Sequence, residues 1–277
     1  MIDTQEIDMK TVQPFLRWAG GKRWLTKRLI DFVPKSYNNY HEVFLGGGAV
    51  FFYLKPSNHI FLNDLNAELI NAYNIIKNCH GDLLQVLETL INNEESYYKI
   101  RDFQTEDNLL MAARFIYLNK TCYNGIYRVN SLGKFNVPYG KNESIQIFCK
   151  NNISAVSKSL TNARLSSHDF ESCINNIEKR DLVFLDPPYT VAHNNNGFIE
   201  YNQKIFSWED QLRLAEFVNE IDKKGAFYIL TNAMHDSIRN LYKNVGKKYE
   251  MERHSTIASN LNNRKKISEY IVTNCIS

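Results

Sequence analysis

The run Leu182-Val183-Phe184-Leu185 ends in Asp186-Pro187-Pro188-Tyr189, and these last four residue types are suited to handling an amine. Four consecutive apolar residues predict a strand buried on both faces, which two prolines then stop abruptly. Pro187 keeps Asp186 out of the helical region, so its carboxylate projects from the strand's carboxyl end, the edge where open α/β sheets bind ligands. Pro188 has no amide hydrogen, which stiffens the turn and leaves the Pro187 carbonyl able to accept a hydrogen bond. Two adjacent acceptors suit the two hydrogens of an amino group, and Tyr189 adds a flat face for a planar, amine-bearing ring. An ordinary strand-ending turn has the same four letters, so the elements around it must decide.

A second chemical cluster is Phe15-Leu16-Arg17-Trp18-Ala19-Gly20-Gly21-Lys22. The glycine pair lets backbone approach a ligand, Lys22 can neutralise or hydrogen-bond a carboxylate, and Trp18 can cover an apolar or cationic group. The bland alternative is a glycine turn leading into a helix over Trp24–Phe32. Tyr40–Leu45, which includes Phe44, reads as the first strand, followed by Gly46-Gly47-Gly48 and an apolar helix start at Ala49. That is how a Rossmann-like sheet opens its cofactor cleft. The next strand, His59–Leu62, leads to Asp64, near the spacing of roughly 20 residues expected of an acid gripping ribose hydroxyls. Asp64 also fits a helix N-cap, a task Asn66 can take equally well. The glycines do not follow the dinucleotide fingerprint, so no nicotinamide cofactor is indicated.

From Glu68 to Leu118 the apolar spacing is helical with no alternating strand, which predicts an insert rising from the sheet edge. It ends in a loop and β-hairpin over Asn119–Gly140, with its tip at Ser131–Gly133. This segment carries Tyr123, Asn124, Ile126, Arg128 and Pro138. Arg and Asn pair bidentately with guanine and adenine edges, and Tyr can wedge where bases separate, although a polar surface hairpin has the same composition. Ala163–Ser167 reads as a short strand leading to His168-Asp169-Phe170. The polar stretch Thr190–Ser207 reads as a flap over the site, Ser207 and Asp210 form a capping box, and Lys248–Ile257 with Ile267–Val272 reads as an antiparallel pair.

The chain has 277 residues and a formal charge of +3, which permits a polyanionic partner without demanding one. Arg239–Lys266 is locally basic, with eight Lys or Arg against two Glu. Five scattered cysteines lack Cys-x-x-Cys or Cys/His ligand spacing; free thiols in a reducing cytosol and no metal are expected. The first ten residues lack the apolar core of a signal peptide and no run reaches transmembrane length, so a soluble cytoplasmic protein without membrane contact is expected. A monomer is the expectation, and dimer formation stays open.

Taken in order, the Trp-Ala-Gly-Gly-Lys segment, the glycine turn, the insert and the Asp-Pro-Pro-Tyr strand resemble the Dam-type DNA adenine-N6 methyltransferases over nearly the whole chain. The resemblance implies an α/β fold: a Rossmann-like, S-adenosylmethionine-dependent methyltransferase sheet formed by residues 1–67 and 160–277. A helical target-recognition domain carrying a β-hairpin would be inserted at 68–159. It implies a cofactor site for S-adenosylmethionine at Trp18, Lys22, Asp64 and Asp186. Phe44, Gly46 and Gly48 would line the methionine part, and Asp169 and Phe170 would flank the adenine ring. On double-stranded DNA, Arg17 and Arg128 would contact guanine edges or backbone, Asn124, Ile126 and Pro138 would lie along the major groove, and Tyr123 would wedge near an extruded base. The catalytic set would be Asp186, Pro187, Pro188 and Tyr189. The stretch Phe135–Gly140 resembles the GATC-reading members in particular. One departure is the near-neutral charge of the insert's helical part.

Cytosine-N4 methylation uses the same hydrogen-bond logic and stays open, although the motif order favours adenine. Cytosine-C5 chemistry needs a cysteine after proline, which the chain lacks. Protein-glutamine methyltransferases carry Asn where Asp186 stands. A catalytically silent DNA-binding regulator on the same fold is the alternative of another class, and intact Asp186 and Tyr189 argue against it. Neither a partner restriction enzyme nor processivity is legible in the residues.

Overall fold

The computed structural model describes residues 12–189, 206–254 and 266–276. The expected amino-terminal lead lies almost wholly outside the described residues, as do the flap up to residue 205 and the last residues of the first carboxyl-terminal strand. The chain divides into two compact units: Met1–Arg23, Gly46–Lys55 and Asn66–Asn162 form one, and Trp24–Leu45, Pro56–Leu65 and Ala163–Ser277 the other.

The second unit holds a seven-stranded sheet in the order β3-β2-β1-β4-β5-β7-β6. Its strands are β1 (Tyr40–Glu42), β2 (Ile60–Asn63), β3 (Ala163–Ser166), β4 (Leu182–Leu185), β5 (Phe227–Ala233), β6 (Lys247–His254) and β7 (Lys266–Thr273). The first five run parallel, whereas β7 is antiparallel to both β5 and β6. Chain order reverses between β1 and β4, the kind of switch point at which doubly wound sheets open a crevice. As its unbroken apolar run requires, all four residues of β4 are buried. The helix Trp208–Lys223 begins with the expected capping box, in which the Ser207 hydroxyl accepts from the Asp210 amide and Asp210 accepts from the Ser207 amide. Its buried Leu214, Phe217, Val218 and Ile221 join Val183, Leu185 and Leu230 in one core.

The expected helix over Trp24–Phe32 is a broken one: a 3-10 turn at Lys22–Trp24, helix α1 at Thr26–Leu29, and a second 3-10 turn at Ile30–Phe32. Val33 precedes Pro34 and is extended (φ −75°, ψ 129°), the conformation a following proline imposes.

The first unit contains α2 (Ala49–Leu54), α3 (Ala67–Glu88), α4 (Glu94–Asp102), α5 (Asn108–Thr121) and α6 (Lys150–Ser159). Asn66 caps α3 by accepting from the Leu69 amide, and Asp107 caps α5 through the Leu109 and Leu110 amides. Residues 12–23 and 46–55 belong with these helices, where the sequence division grouped them with the sheet. Tyr73 of α3 is the physical reason, because its hydroxyl donates to the Gly46 carbonyl (3.1 Å) and its ring meets Phe15 edge-on at 4.9 Å. The expected hairpin is a loop with two isolated antiparallel bridges, Cys122↔Tyr139 and Val129↔Phe135. Its turn is held at Asn130, whose side chain accepts from the Leu132 and Lys134 amides. Among the described residues no helix is long and apolar enough to cross a membrane.

Candidate active site

Because β1 to β4 run parallel, the residues that follow them emerge at one edge of the sheet: Phe44 after β1, Asp64 after β2, Asp169 and Phe170 after β3, and Asp186 after β4. Sequence reasoning could nominate these positions singly, and the parallel pairing brings them to a common edge. Asp64 is half-buried, with its amide bonded to the Ser166 carbonyl (3.3 Å).

Asp186 is half-buried, and its Oδ1 accepts a hydrogen bond from the Thr231 hydroxyl at 2.7 Å. Thr231 stands opposite because Leu185 pairs with Leu230 in the register one step earlier. Tyr189 donates its hydroxyl to Glu269 Oε2 at 2.8 Å. Burial first, and then the neighbouring charges of Asp186 and Glu269, hold the Tyr189 phenol well above the usual range, so it stays a neutral donor. Thr231 and Glu269 escaped the sequence reading. The available signal was a lone acid at Glu269 within the apolar run of β7, but its partner depends on non-local pairing.

Phe170 is 5 % exposed and packs with Phe44, Phe206 and Phe217. Arg213, which the sequence also failed to single out, lies 4.9 Å over its ring. Arg213 also binds Asp169 Oδ1 (2.7 Å), Glu171 Oε2 (2.7 Å) and Asp210 Oδ1 (2.8 Å), while Asp169 accepts from the Glu171 amide. The step expected to flank an adenine ring is therefore a core aromatic beside a carboxylate already held by a guanidinium.

In the helical unit, Trp18 stacks on Tyr127 with ring centres 5.7 Å apart. A Cβ at Gly46 would come within 2.7 Å of the Trp18 indole, so this turn needs glycine for close approach as well as for its φ of +48°. Gly48, also at positive φ, stands immediately before α2 as its N-cap. Lys22 is buried and donates to the Gly20 carbonyl (3.1 Å). Asn119 clamps Arg17 on both sides: its Oδ1 accepts from the Arg17 amide (2.8 Å) and its amide group donates to the Arg17 carbonyl (2.7 Å). Along the recognition loop, Phe135, Val137 and Tyr139 point inward while Asn136 and Pro138 are exposed. Tyr97 fixes the inner side through the Val137 carbonyl (2.9 Å). Tyr123, Asn124 and Arg128 are exposed, Ile126 is half-buried, and Arg128 Nε donates to Asn136 Oδ1 at 2.8 Å.

Residues 18–257 match the family model of the D12 class N6 adenine-specific DNA methyltransferases. The chain belongs to that family. It is 36 % identical over 273 residues to the type II methyltransferase M1.LlaDCHI of Lactococcus lactis subsp. cremoris, covering 95 % of each chain. Identity is 37 % over 255 residues to the type II methyltransferase M.MjaIII of Methanocaldococcus jannaschii, covering 84 % of this chain and 88 % of the relative. It is 31 % over 271 residues to a DNA adenine methylase of Salmonella typhi, covering 95 % of each. As a D12 class member, the protein is an adenine-specific DNA methyltransferase, which makes the Asp186–Tyr189 turn its candidate catalytic centre.

Proposed function

We propose that this enzyme methylates the N6 amino group of an adenine turned out of double-stranded DNA, within the sequence GATC, using S-adenosylmethionine. The observation that carries the chemistry is Asp186 at the carboxyl end of a buried strand beside the switch point, with one carboxylate oxygen held by Thr231.

The residues present fit the donor. Asp64 offers a carboxylate for ribose hydroxyls at the edge where Asp169 also emerges, and the Gly46 turn admits no side chain. Asp64, Asp169, Phe170 and the Phe44–Gly48 segment would hold it, together with Trp18 and Lys22 by resemblance of their motif. When bound, S-adenosylmethionine supplies an electrophilic methyl group on a sulfonium.

The adenine amine is a weak nucleophile because its lone pair is delocalised into the ring. Asp186 and the Pro187 carbonyl accept its two hydrogens and favour the pyramidal form whose lone pair can attack. As the nitrogen–methyl bond forms and the carbon–sulfur bond breaks, one amine hydrogen leaves as a proton, which Asp186 accepts and passes to water. Pro188 keeps the turn stiff, and positioning supplies most of the rate. Turning the base out costs a few kcal/mol, which stacking on Tyr189 partly offsets.

Segment 68–159 acts as the target-recognition part. Arg17, Asn124, Ile126, Arg128 and Pro138 read the major groove, and Tyr123, 55 % exposed, wedges where the base leaves. The GATC assignment rests on Phe135–Gly140. Expression in a methylation-free host, followed by direct sequencing of modified adenines, tests it, and another motif overturns the target. Asp186→Ala should abolish methyl transfer while DNA affinity survives; appreciable turnover in that variant removes Asp186 from its role.

A further inference from the structure

Asp186 and Tyr189 are each tied to a buried side chain on another strand of the same sheet. A carboxylate turns about a broad, roughly two-fold torsion, so an Asp at the end of a turn does not by itself aim an oxygen. Thr231, 0 % exposed on β5, puts its hydroxyl 2.7 Å from Asp186 Oδ1 and 3.4 Å from the Leu185 carbonyl. Its single hydrogen therefore goes to the carboxylate, whose negative charge makes the shorter bond the stronger one. That bond fixes the carboxylate plane and reserves the second oxygen for a substrate hydrogen.

Glu269 is 2 % exposed on β7, where it pairs with Ala233 of β5. Burying a carboxylate costs several kcal/mol unless something binds it well, and an apolar residue would fill this strand position at less cost. What the Glu supplies is an acceptor for the Tyr189 hydroxyl at 2.8 Å. Two χ angles and one hydrogen bond then define where the Tyr189 ring stands.

We propose that Thr231 and Glu269 are positioning residues for methyl transfer: Thr231 aims the free oxygen of Asp186 at the adenine amine, and Glu269 sets the Tyr189 ring to receive the extruded base. The inference rests on the reading of Asp186 as hydrogen acceptor and Tyr189 as base platform.

The test uses the full chain, tritium-labelled S-adenosylmethionine and a duplex carrying the mapped target. Single-turnover rate, cofactor affinity, and the fluorescence of 2-aminopurine at the target position are read for each variant. Thr231→Val should slow transfer by about tenfold or more, with cofactor and DNA affinities within about twofold, and Thr231→Ser should restore the rate. Glu269→Gln keeps an acceptor oxygen and should stay near wild type. Glu269→Met and Tyr189→Phe should each lower the 2-aminopurine signal and the rate, and the double variant should lose no more than either alone. If Glu269→Met fails to bind cofactor, Tyr189→Phe, which removes only the hydroxyl, decides the Glu269 half; if Thr231→Val fails to bind it, Thr231→Cys, with its weak donor, decides the Thr231 half. Wild-type rates in these deciding variants, beside an inert Asp186→Ala, overturn the positioning roles alone. An active Asp186→Ala overturns the reading beneath them.

Discussion

At Gly125 the backbone has φ +65°, and a Cβ there would stand 2.5 Å from Arg17 Cδ and 2.7 Å from Arg17 Cβ. The first of these atoms can swing aside. The second cannot, because Asn119 clamps the Arg17 backbone at both its amide and its carbonyl. Gly125→Ala therefore meets both an unfavourable backbone region and an immovable neighbour, and we expect it to cost about 1–3 kcal/mol of stability. The same push displaces the exposed Arg17 head, so duplex affinity should fall on the order of tenfold, about 1.4 kcal/mol. Fluorescence anisotropy at fixed salt checks this, with cofactor affinity as the control that should not move. Arg17→Ala should lower affinity similarly, and the two substitutions together should cost less than their sum, since both act through one side chain.

Strand β4 is secured at its start as well as at its catalytic end. Asp181, 0 % exposed, accepts from the Asn39 and Glu178 amides and lies 2.8 Å from His41 Nε2 on β1. Burial alone would raise its pKa, but the His41 hydrogen bond and the two amides outweigh that and hold the carboxyl below the usual range. A depressed folded pKa means that the stabilisation is fully present above the unfolded value, ~3.9, and is lost as pH falls through the folded one. Asp181→Asn should lower stability at neutral pH by about 1–3 kcal/mol. Thermal unfolding from pH 7 downward should show wild type and variant converging below about pH 4; a constant gap would mean that Asp181's charge contributes nothing. The strand itself was legible in four consecutive apolar residues, and α-helix starts were legible in Ser207 with Asp210 and in Asn66, because such signals are local. The partners of Asp186 and Tyr189 were not. Thr231 and Glu269 reach them only through the β4–β5 and β5–β7 registers, which nothing within either strand announces. Phe170 illustrates the other limit: its motif suggested a ligand contact, yet packing with Phe44, Phe206 and Phe217 makes it a core ring.

For the whole molecule, 33 basic residues stand against 30 acidic ones, so long-range attraction to a polyanion is weak and DNA affinity must come from local contacts. One such concentration surrounds Lys120, whose ammonium pKa is lowered first by burial and then by the charges of Arg17 and Arg23. The salt dependence of binding counts the contacts made to phosphate, since each contributes about 0.9 to the slope of log affinity against log salt. Arg128 should not be among them. Its Nε is fixed to Asn136 Oδ1, which holds the planar guanidinium in one orientation, as bidentate reading of a guanine edge requires and a phosphate contact does not. Arg128→Lys keeps the charge and loses the fork. We expect the salt slope to stay unchanged while discrimination at one base pair of the target falls by about 1–3 kcal/mol, seen as methylation spreading to sites that differ there. A drop of about 0.9 in slope for Arg128→Ala, with the target sequence unaltered, would put this side chain on the backbone instead.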